Sequence, residues 1–368
     1  MSVPIHAGII QRVLTEYRAP FFDMLAQRFG RGASLFSGQP RPAESIAQAS
    51  GLRHAHWTPG RNRHLFSGGA YLCWQSGLLA WLRSADPDVL IVEANPRYLS
   101  TPAAIRWMKN RARPVIGWGL GAPAAPGRLA ALRRWWRVRW VSQFDALITY
   151  SQQGAQEYQA LGFPANRVFV AANAVTPRPQ NPPPSRPEKA TVQDLNLLFV
   201  GRLQERKRVD SLLRVVAALP PHQRPSLTIV GDGPARPTLQ ALAAEVLPAA
   251  RFLGALHGAE LDAQFDAADL FVLPGTGGLA VQQAMAHALP VIVAEADGTQ
   301  ADLVRPQNGW LVPPGDLPAL SACLQNALSD PRRLREMGLQ SYRIVHDEIN
   351  LEKMVDVFVQ AVQTVMEG

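Results

Sequence analysis

Cysteine is nearly missing from this sequence: Cys73 and Cys323 are the only two in 368 residues, far apart and in no C-x-x-C spacing. That argues against a disulfide scaffold and a thiolate zinc site, and fits a reducing cytosol. No apolar run reaches the length that spans a bilayer. The opening MSVPIHAGII lacks the basic region of a secretory signal, so a cytoplasmic protein is expected. His54, His56 and His64 fall in a polar loop without metal-ligand spacing and read as solvated. The sequence holds no histidine-rich cluster, and no resident cofactor is expected. Lysine is scarce too, at positions 109, 189, 207 and 353 only. Acidic residues are short in the first half: residues 1–175 hold 20 Lys+Arg against 8 Asp+Glu, or +12, and the remainder 17 against 21, or −4. Such an asymmetry suggests a different partner for each half.

What is present describes a folded protein, with 47% hydrophobic and 18% charged residues. Its length points to two domains. Residues 176–190, TPRPQNPPPSRPEKA, hold six prolines and read as an extended, semi-rigid linker. Before it, DVLIVEA, RPVIGWGL, FDALITYS and RVFVAANAV read as buried strands. After it, LNLLFVG, SLTIVGDG, ARFLGAL, DLFVLPG and LPVIVAEA do the same. Patterns of period near 3.6, such as VDSLLRVVAAL, lie between them. The alternation predicts two α/β domains with parallel sheets, over 1–175 and 191–345.

Ligands of such sheets bind outside the carboxyl ends of the strands. In the second half these positions hold Gly201, Arg202 and Lys207, then Gly231, then Gly275 to Gly278, then Glu295, Asp297 and Gly298. Arg202 and Lys207 flank a strand-to-helix turn where two cations suit a diphosphate, with the N-terminal dipole of the next helix nearby. A solvated loop is the plainer reading of those charges. Lys207 stands out because arginine is used almost everywhere else, and a compact ammonium binds phosphate as a point charge. Removing it is expected to cost anion binding and leave the unliganded melting point nearly unchanged. The turn PGTGG leads into the helix pattern of LAVQQAMAHAL. Gly275, Gly277, Ala280 and Glu295 also satisfy a dinucleotide-binding spacing, but four candidate strands precede it and its helix is short, so NAD binding is the minority reading.

With these segments in hand, the second half resembles glycosyltransferase family 4, retaining nucleotide-sugar transferases of the GT-B fold. The residues that carry the resemblance are LLFVGRLQERKRVDSLL, LTIVGDGP, FLGAL, DLFVLPG with GLAVQQAMAHALPVIV, and NGWLVPPGD. QRVLTEYRAPFF, VEANPRYLS and YSQQGAQEYQALGFPANRVFVAANAV carry a weaker one in the first half. The resemblance implies two Rossmann-like domains facing across a cleft, an acceptor domain first and a donor domain second. Residues 346–368 would form a helix crossing back to the first domain. It implies that Arg202 and Lys207 contact the donor diphosphate and stabilise it as it leaves, without a metal. Gly201 and Gly231 would sit at the same edge, Thr276, Gly277, Gly278 and Leu279 would offer backbone N–H groups, and Leu256 would lie beside the base. The chain departs from the family where two glutamates are usual: Gly275 and Gln283 stand there. Gln283 can still hydrogen-bond the ribose; Gly275 can offer no side chain. A histidine frequent in the first domain is also replaced, with Trp118 in that region.

Tyr17, Arg18, Arg97 and Trp118 follow strands of the first half and are candidates for acceptor binding, with local packing the alternative. His287, on an amphipathic helix, reads as structural. The stretch GRLAALRRWWRVRWVSQF, residues 127–144, places Leu129, Leu132, Trp135, Trp136 and Trp140 on one side of a helix and Arg133, Arg134 and Arg137 opposite. It reads either as a peripheral contact with an anionic membrane on the cytoplasmic side or as a surface helix whose tryptophans cover the sheet. The expected activity is transfer of a sugar, with retention, from a nucleotide diphosphate to a glycan or lipid-linked acceptor in bacterial surface-polysaccharide assembly. An epimerase, an NAD-dependent enzyme or a non-catalytic sugar-nucleotide-binding homologue remain alternatives. Nucleic acid is not expected as a partner.

Overall fold

The computed structural model describes residues 3–41, 44, 46–124, 127–187, 189, 191–296 and 298–367; Asp297 and linker positions 188 and 190 lie outside them. The chain divides into two compact units, Met1–Asn173 with Leu351–Gly368, and Ala174–Asn350.

In unit 1 the strands are β1 (Ala7–Val13), β2 (Ala33–Gly38), β3 (His56–Pro59), β4 (Arg61–Leu65), β5 (Leu72–Ser76), β6 (Val89–Glu93), β7 (Val115–Gly119), β8 (Ala146–Thr149) and β9 (Val168–Val170). The helices are α1 (Ala19–Arg28), α2 (Leu78–Ala85), α3 (Thr101–Lys109), α4 (Ala130–Val141) and α5 (Gln152–Ala160). Seven strands form a parallel sheet in the order β3-β2-β1-β6-β7-β8-β9, and β4 and β5 form a separate antiparallel ribbon. Continuous apolar strands such as VLIVE and VIGWG are buried on both faces, as parallel sheets require. His64 is not in a solvated loop. It lies on β4, stacked on Tyr71, with Nδ1 3.0 Å from the tyrosine hydroxyl.

Unit 2 contains β10 (Asn196–Val200), α6 (Val209–Ala218), β11 (Ser226–Val230), α7 (Arg236–Val246), β12 (Arg251–Gly254), α8 (Gly258–Ala267), β13 (Leu270–Leu273) and α9 (Ala280–Ala286). It continues through β14 (Val291–Ala294), α10 (Gln300–Leu303), β15 (Gly309–Val312), α11 (Leu317–Leu328) and α12 (Pro331–Arg343). Its six strands are parallel, in the order β12-β11-β10-β13-β14-β15. The last helix, α13 (Leu351–Glu367), belongs to unit 1, where Phe358 packs on Phe21 and Trp118 at ring distances of 4.9 and 4.8 Å.

The proline-rich segment forms neither helix nor strand, yet it is anchored to unit 2. Arg186 donates from Nε to Ala268 O, from Nη1 to Ala288 O, and from Nη2 to Phe265 O and His287 O. These carbonyls close the ends of α8 and α9, where helix carbonyls lack intrahelical partners. Arg335 donates back to Arg186 O and Pro187 O. Replacing Arg186 with alanine leaves four carbonyls without this donor and is expected to lower stability by about 2 kcal/mol, read as the urea midpoint; an unchanged midpoint contradicts the anchor. Gln282, buried in α9, is a second tie. Its Oε1 accepts from Val175 N at 2.5 Å and Thr176 N at 3.1 Å, and its Nε2 donates to Ile349 O at 2.7 Å. One side chain thus ties together residues close to both ends of unit 2.

Candidate functional site

In unit 2 the strand order reverses between β10 and β13, so the carboxyl ends of these neighbours flank the switch point at which open α/β sheets take their ligands. The basic loop follows β10 and the glycine turn follows β13, and the two are in contact. Lys207 Nζ donates to Thr276 O at 3.0 Å and Gly277 O at 2.7 Å. Arg206 Nη1 reaches Thr276 O at 3.4 Å, and Thr276 N donates to Arg206 O at 3.0 Å. Lys207 is only 6% exposed, which explains why a lysine is used: a guanidinium would need planar space. Burial first, and then the nearby Arg206 charge, lower its pKa to about 8. Two of its three donors are engaged, leaving one for an incoming anion. The expectation that Lys207 is dispensable for stability is therefore corrected, because its ammonium latches the turn.

The close contact depends on glycine. A Cβ at Gly275 would stand 2.2 Å from Arg206 O and 2.4 Å from Lys207 C, both backbone atoms. A Cβ at Gly231 would stand 2.0 Å from Gly201 O, at φ +136°. Gly231 N donates to Gly254 O at 2.7 Å, which brings the end of β12, two residues before half-buried Leu256, to the same edge. The two-cation arrangement differs from expectation. Arg202 is exposed and makes no hydrogen bond or ion pair among the described residues; the cation paired with Lys207 on the turn is Arg206, legible only as part of the run ERKR. Arg208 carries a left-handed backbone, φ +53°. That conformation costs a non-glycine residue on the order of 1 kcal/mol and bends the loop into α6.

The offer of backbone N–H groups is also narrower than expected, since Thr276 N is engaged; Gly277, Gly278 and Leu279 remain. Gln283 is half-buried on α9, one turn in, with no side-chain hydrogen bond among the described residues. The dinucleotide spacing lacks its context, because β13 is the fourth strand of its unit and α9 has seven residues. His287 is structural, stacked on Phe265 with Nδ1 2.7 Å from Asp266. Among the described residues no group of three or more His, Cys, Asp or Glu could hold a metal ion.

In unit 1 two acceptor candidates are corrected. Trp118 is 2% exposed, enclosed by Phe21, Phe22, Tyr150 and Phe358. Arg18 is buried among Tyr17, Phe21, Trp118 and Tyr150 and donates to Asn173 Oδ1 and, at 3.3 Å, to Met354 Sδ. Aromatic density at the sheet edge draws both inward, so neither presents a binding surface. Tyr17, 41% exposed, and Arg97 remain on the surface. Missed by sequence reasoning is Glu93, the last residue of β6. It accepts a hydrogen bond from Arg12 N, and burial raises its pKa to about 7. Its signal was the single carboxylate closing the apolar strand VLIVE.

On α4, Trp135 and Trp136 are 54% and 59% exposed and pack edge-on to each other at 5.1 Å. They do not cover the sheet; only the end of the helix does, through Trp140 and Val141. Arg134 donates to Ala160 O at 3.2 Å and Arg137 to Pro123 O, while Arg133 is exposed. No helix among the described residues is long and apolar enough to cross a membrane.

Residues 13–174 match the family model of the "Glycosyl transferase 4-like domain", and residues 194–330 that of "Glycosyl transferases group 1". A GDP-mannose-dependent alpha-mannosyltransferase of Mycolicibacterium smegmatis is 38% identical over 161 residues, 41% of this chain and 40% of that protein. A glycogen synthase of Mycobacterium tuberculosis is 32% identical over 206 residues, 53% of this chain and 48% of its own. The chain thus matches less than half the length of these curated relatives. Among solved structures, the lipopolysaccharide outer core galactosyltransferase WaaB superposes with a TM-score of 0.70 at 16% identity, covering 98% of this chain and 99% of that one. Anabaena HepE in complex with UDP gives 0.69 at 14% identity, over 99% and 100%. The two family models span most of the chain, the two parallel-sheet units have the architecture of these structures, and the chain belongs to glycosyltransferase family 4, with the GT-B fold.

Proposed function

We propose that the chain transfers a sugar, with retention, from a nucleoside diphosphate donor bound by unit 2 to a glycan or lipid-linked acceptor bound by unit 1. The observation that carries this reading is the buried Lys207 fixed to the glycine turn at the β10/β13 switch point. It is a preorganised cation beside backbone able to approach a ligand closely. The charge that develops on a departing diphosphate is met there by a cation already in place. Lys207 and Arg206, rather than a metal, supply the positive charge in this proposal. The GDP-mannose-dependent relatives make GDP-mannose the first donor to test, ahead of UDP-sugars. The setting proposed is surface-polysaccharide or lipid-linked glycan assembly at the cytoplasmic face of a membrane. A panel of nucleotide sugars tests the donor site by thermal shift. The true donor at about 100 times its Kd should stabilise the protein by about 2.7 kcal/mol, and a panel without any shift contradicts the reading.

Peripheral membrane binding through α4 belongs to the same proposal. Exposed Trp135 and Trp136 beside Arg133, Arg134 and Arg137 suit a headgroup layer, where rings are half-buried and guanidinium groups meet anionic lipid. Each arginine contributes about 1 kcal/mol before screening. Replacing all three with glutamine should weaken sedimentation with anionic vesicles roughly 30-fold, about 2 kcal/mol at physiological salt. Equal binding to anionic and neutral vesicles, or to neither, contradicts it.

A further inference from the structure

Unit 1 has a switch point of its own. From β1 the chain steps outward to β2 and β3, then returns to β6 on the opposite side of β1 before continuing to β7, β8 and β9. The β1/β6 boundary is therefore where strand order reverses and where an open α/β sheet leaves a crevice outside its strand ends. Arg12 lies at the end of β1 and Glu93 closes β6. Glu93 Oε2 accepts the Arg12 N–H, so its carboxylate is fixed across the boundary by the backbone of the neighbouring strand.

The guanidinium of Arg12 acts on Glu93 only at a distance, since its Nη1 donates to Glu44 Oε2 at 2.7 Å. Glu93 itself has no ion pair among the described residues. Yet it is enclosed enough that burial raises its pKa to about 7, and part of its surface stays open. A carboxylate withdrawn from water is normally paired, and one that is not carries a cost that packing alone does not explain. Tyr98, Tyr150 and Cys73 all feel its charge, and the cations nearby are already engaged, Arg12 with Glu44 and Arg18 with Asn173 and the rings of Tyr17 and Tyr150. Tyr150 also feels Tyr17, whose ring is open to solvent. Such a setting suits a neutral polyol. A carboxylate accepts hydrogen bonds from sugar hydroxyls with the added strength of its charge, and an exposed ring takes the apolar face of a pyranose.

We propose that Glu93 binds a hydroxyl group of the sugar that receives the transferred residue, with Tyr17 against the same sugar. This rests on the transferase reading and names the acceptor chemistry within it: a hydroxyl-bearing pyranoside end. Saturation-transfer NMR with methyl pyranosides of mannose, glucose and galactose tests it on the full chain. Wild type should bind at least one of them. Glu93→Gln should weaken that binding by at least about tenfold, the loss of one charged hydrogen bond, and Tyr17→Ala should weaken it further. The glutamine keeps an oxygen for the Arg12 N–H and removes the cost of the enclosed charge, so the melting point should not fall below the wild-type value and the shift produced by GDP or UDP should be unchanged. No transfer to any of the glycosides, or equal transfer from Glu93→Gln, overturns the proposal. Loss of the GDP or UDP shift in wild type would instead contradict the donor reading, while the glycoside comparison would still decide the role of Glu93.

Discussion

Lys207→Ala is expected to weaken binding of a nucleoside diphosphate by roughly 100-fold, about 3 kcal/mol. Two losses combine. The ammonium that would face the phosphate is gone, and the carbonyls of Thr276 and Gly277 lose the donor that fixes the turn. Lys207→Arg should not rescue it, because a planar guanidinium cannot occupy the buried position of a compact ammonium. The lowered pKa gives a second readout. Free Lys207 titrates at about 8, whereas the unfolded chain holds that proton up to the ordinary 10.5. From this group alone, unliganded stability rises with pH between those values, since the unfolded state binds more protons there. A bound dianion favours the charged lysine, so binding takes up a proton and affinity falls as pH rises through about 8. Titration calorimetry in buffers of different ionisation heat measures that uptake. Wild type should show it near pH 9 and Lys207→Ala should not; identical uptake in both would place the lysine away from the ligand.

Gly275→Ala should be nearly as damaging, destabilising the turn by upward of about 3 kcal/mol. The added Cβ meets Arg206 O at 2.2 Å and Lys207 Cα at 2.5 Å, and backbone cannot step aside as a flexible side chain can. The same geometry bears on the glutamate usual at this position in the family. Here Gly275→Glu should not recover a lost donor contact; it should push the basic loop away and abolish nucleotide binding along with the latch. Melting temperature and nucleotide affinity together check this. A Gly275→Glu protein that melts like wild type and binds donor more tightly would show that the loop has room after all.

The donor side was legible because its elements are dense in signal. LNLLFV and DLFVLP are continuous apolar strands, and GRLQERKR and GTGG are turns with little reason to exist except to meet something. What the sequence could not convey is which side chains face each other. Arg202 is nearest the strand and was the natural choice, but the cation on the glycine turn is Arg206, whose Nη1 reaches Thr276 O while Arg202 stays exposed. Arg18 and Trp118 were misplaced for a related reason: position after a strand says a residue is at the edge, not whether α13, distant in sequence, covers it with Phe358 and Met354. The β4–β5 ribbon was invisible because RNRHL alternates exposed and half-exposed polar residues with no apolar face to mark a strand. Gln282 and Gln283 are adjacent and chemically identical, yet one ties segments near both ends of unit 2 and the other makes no side-chain hydrogen bond among the described residues. The helical phase that separates them could be assigned only once the partners were in place.

Sugar transfer itself can be followed by NMR with GDP-mannose, UDP-glucose and UDP-galactose in turn, each with the methyl glycoside that binds best. Chelator is included throughout. One donor should yield its nucleoside diphosphate together with a disaccharide that keeps the donor's anomeric configuration, and Lys207→Ala should yield neither. Donors that bind yet remain intact, or a product of inverted configuration, would contradict retaining transfer by this chain.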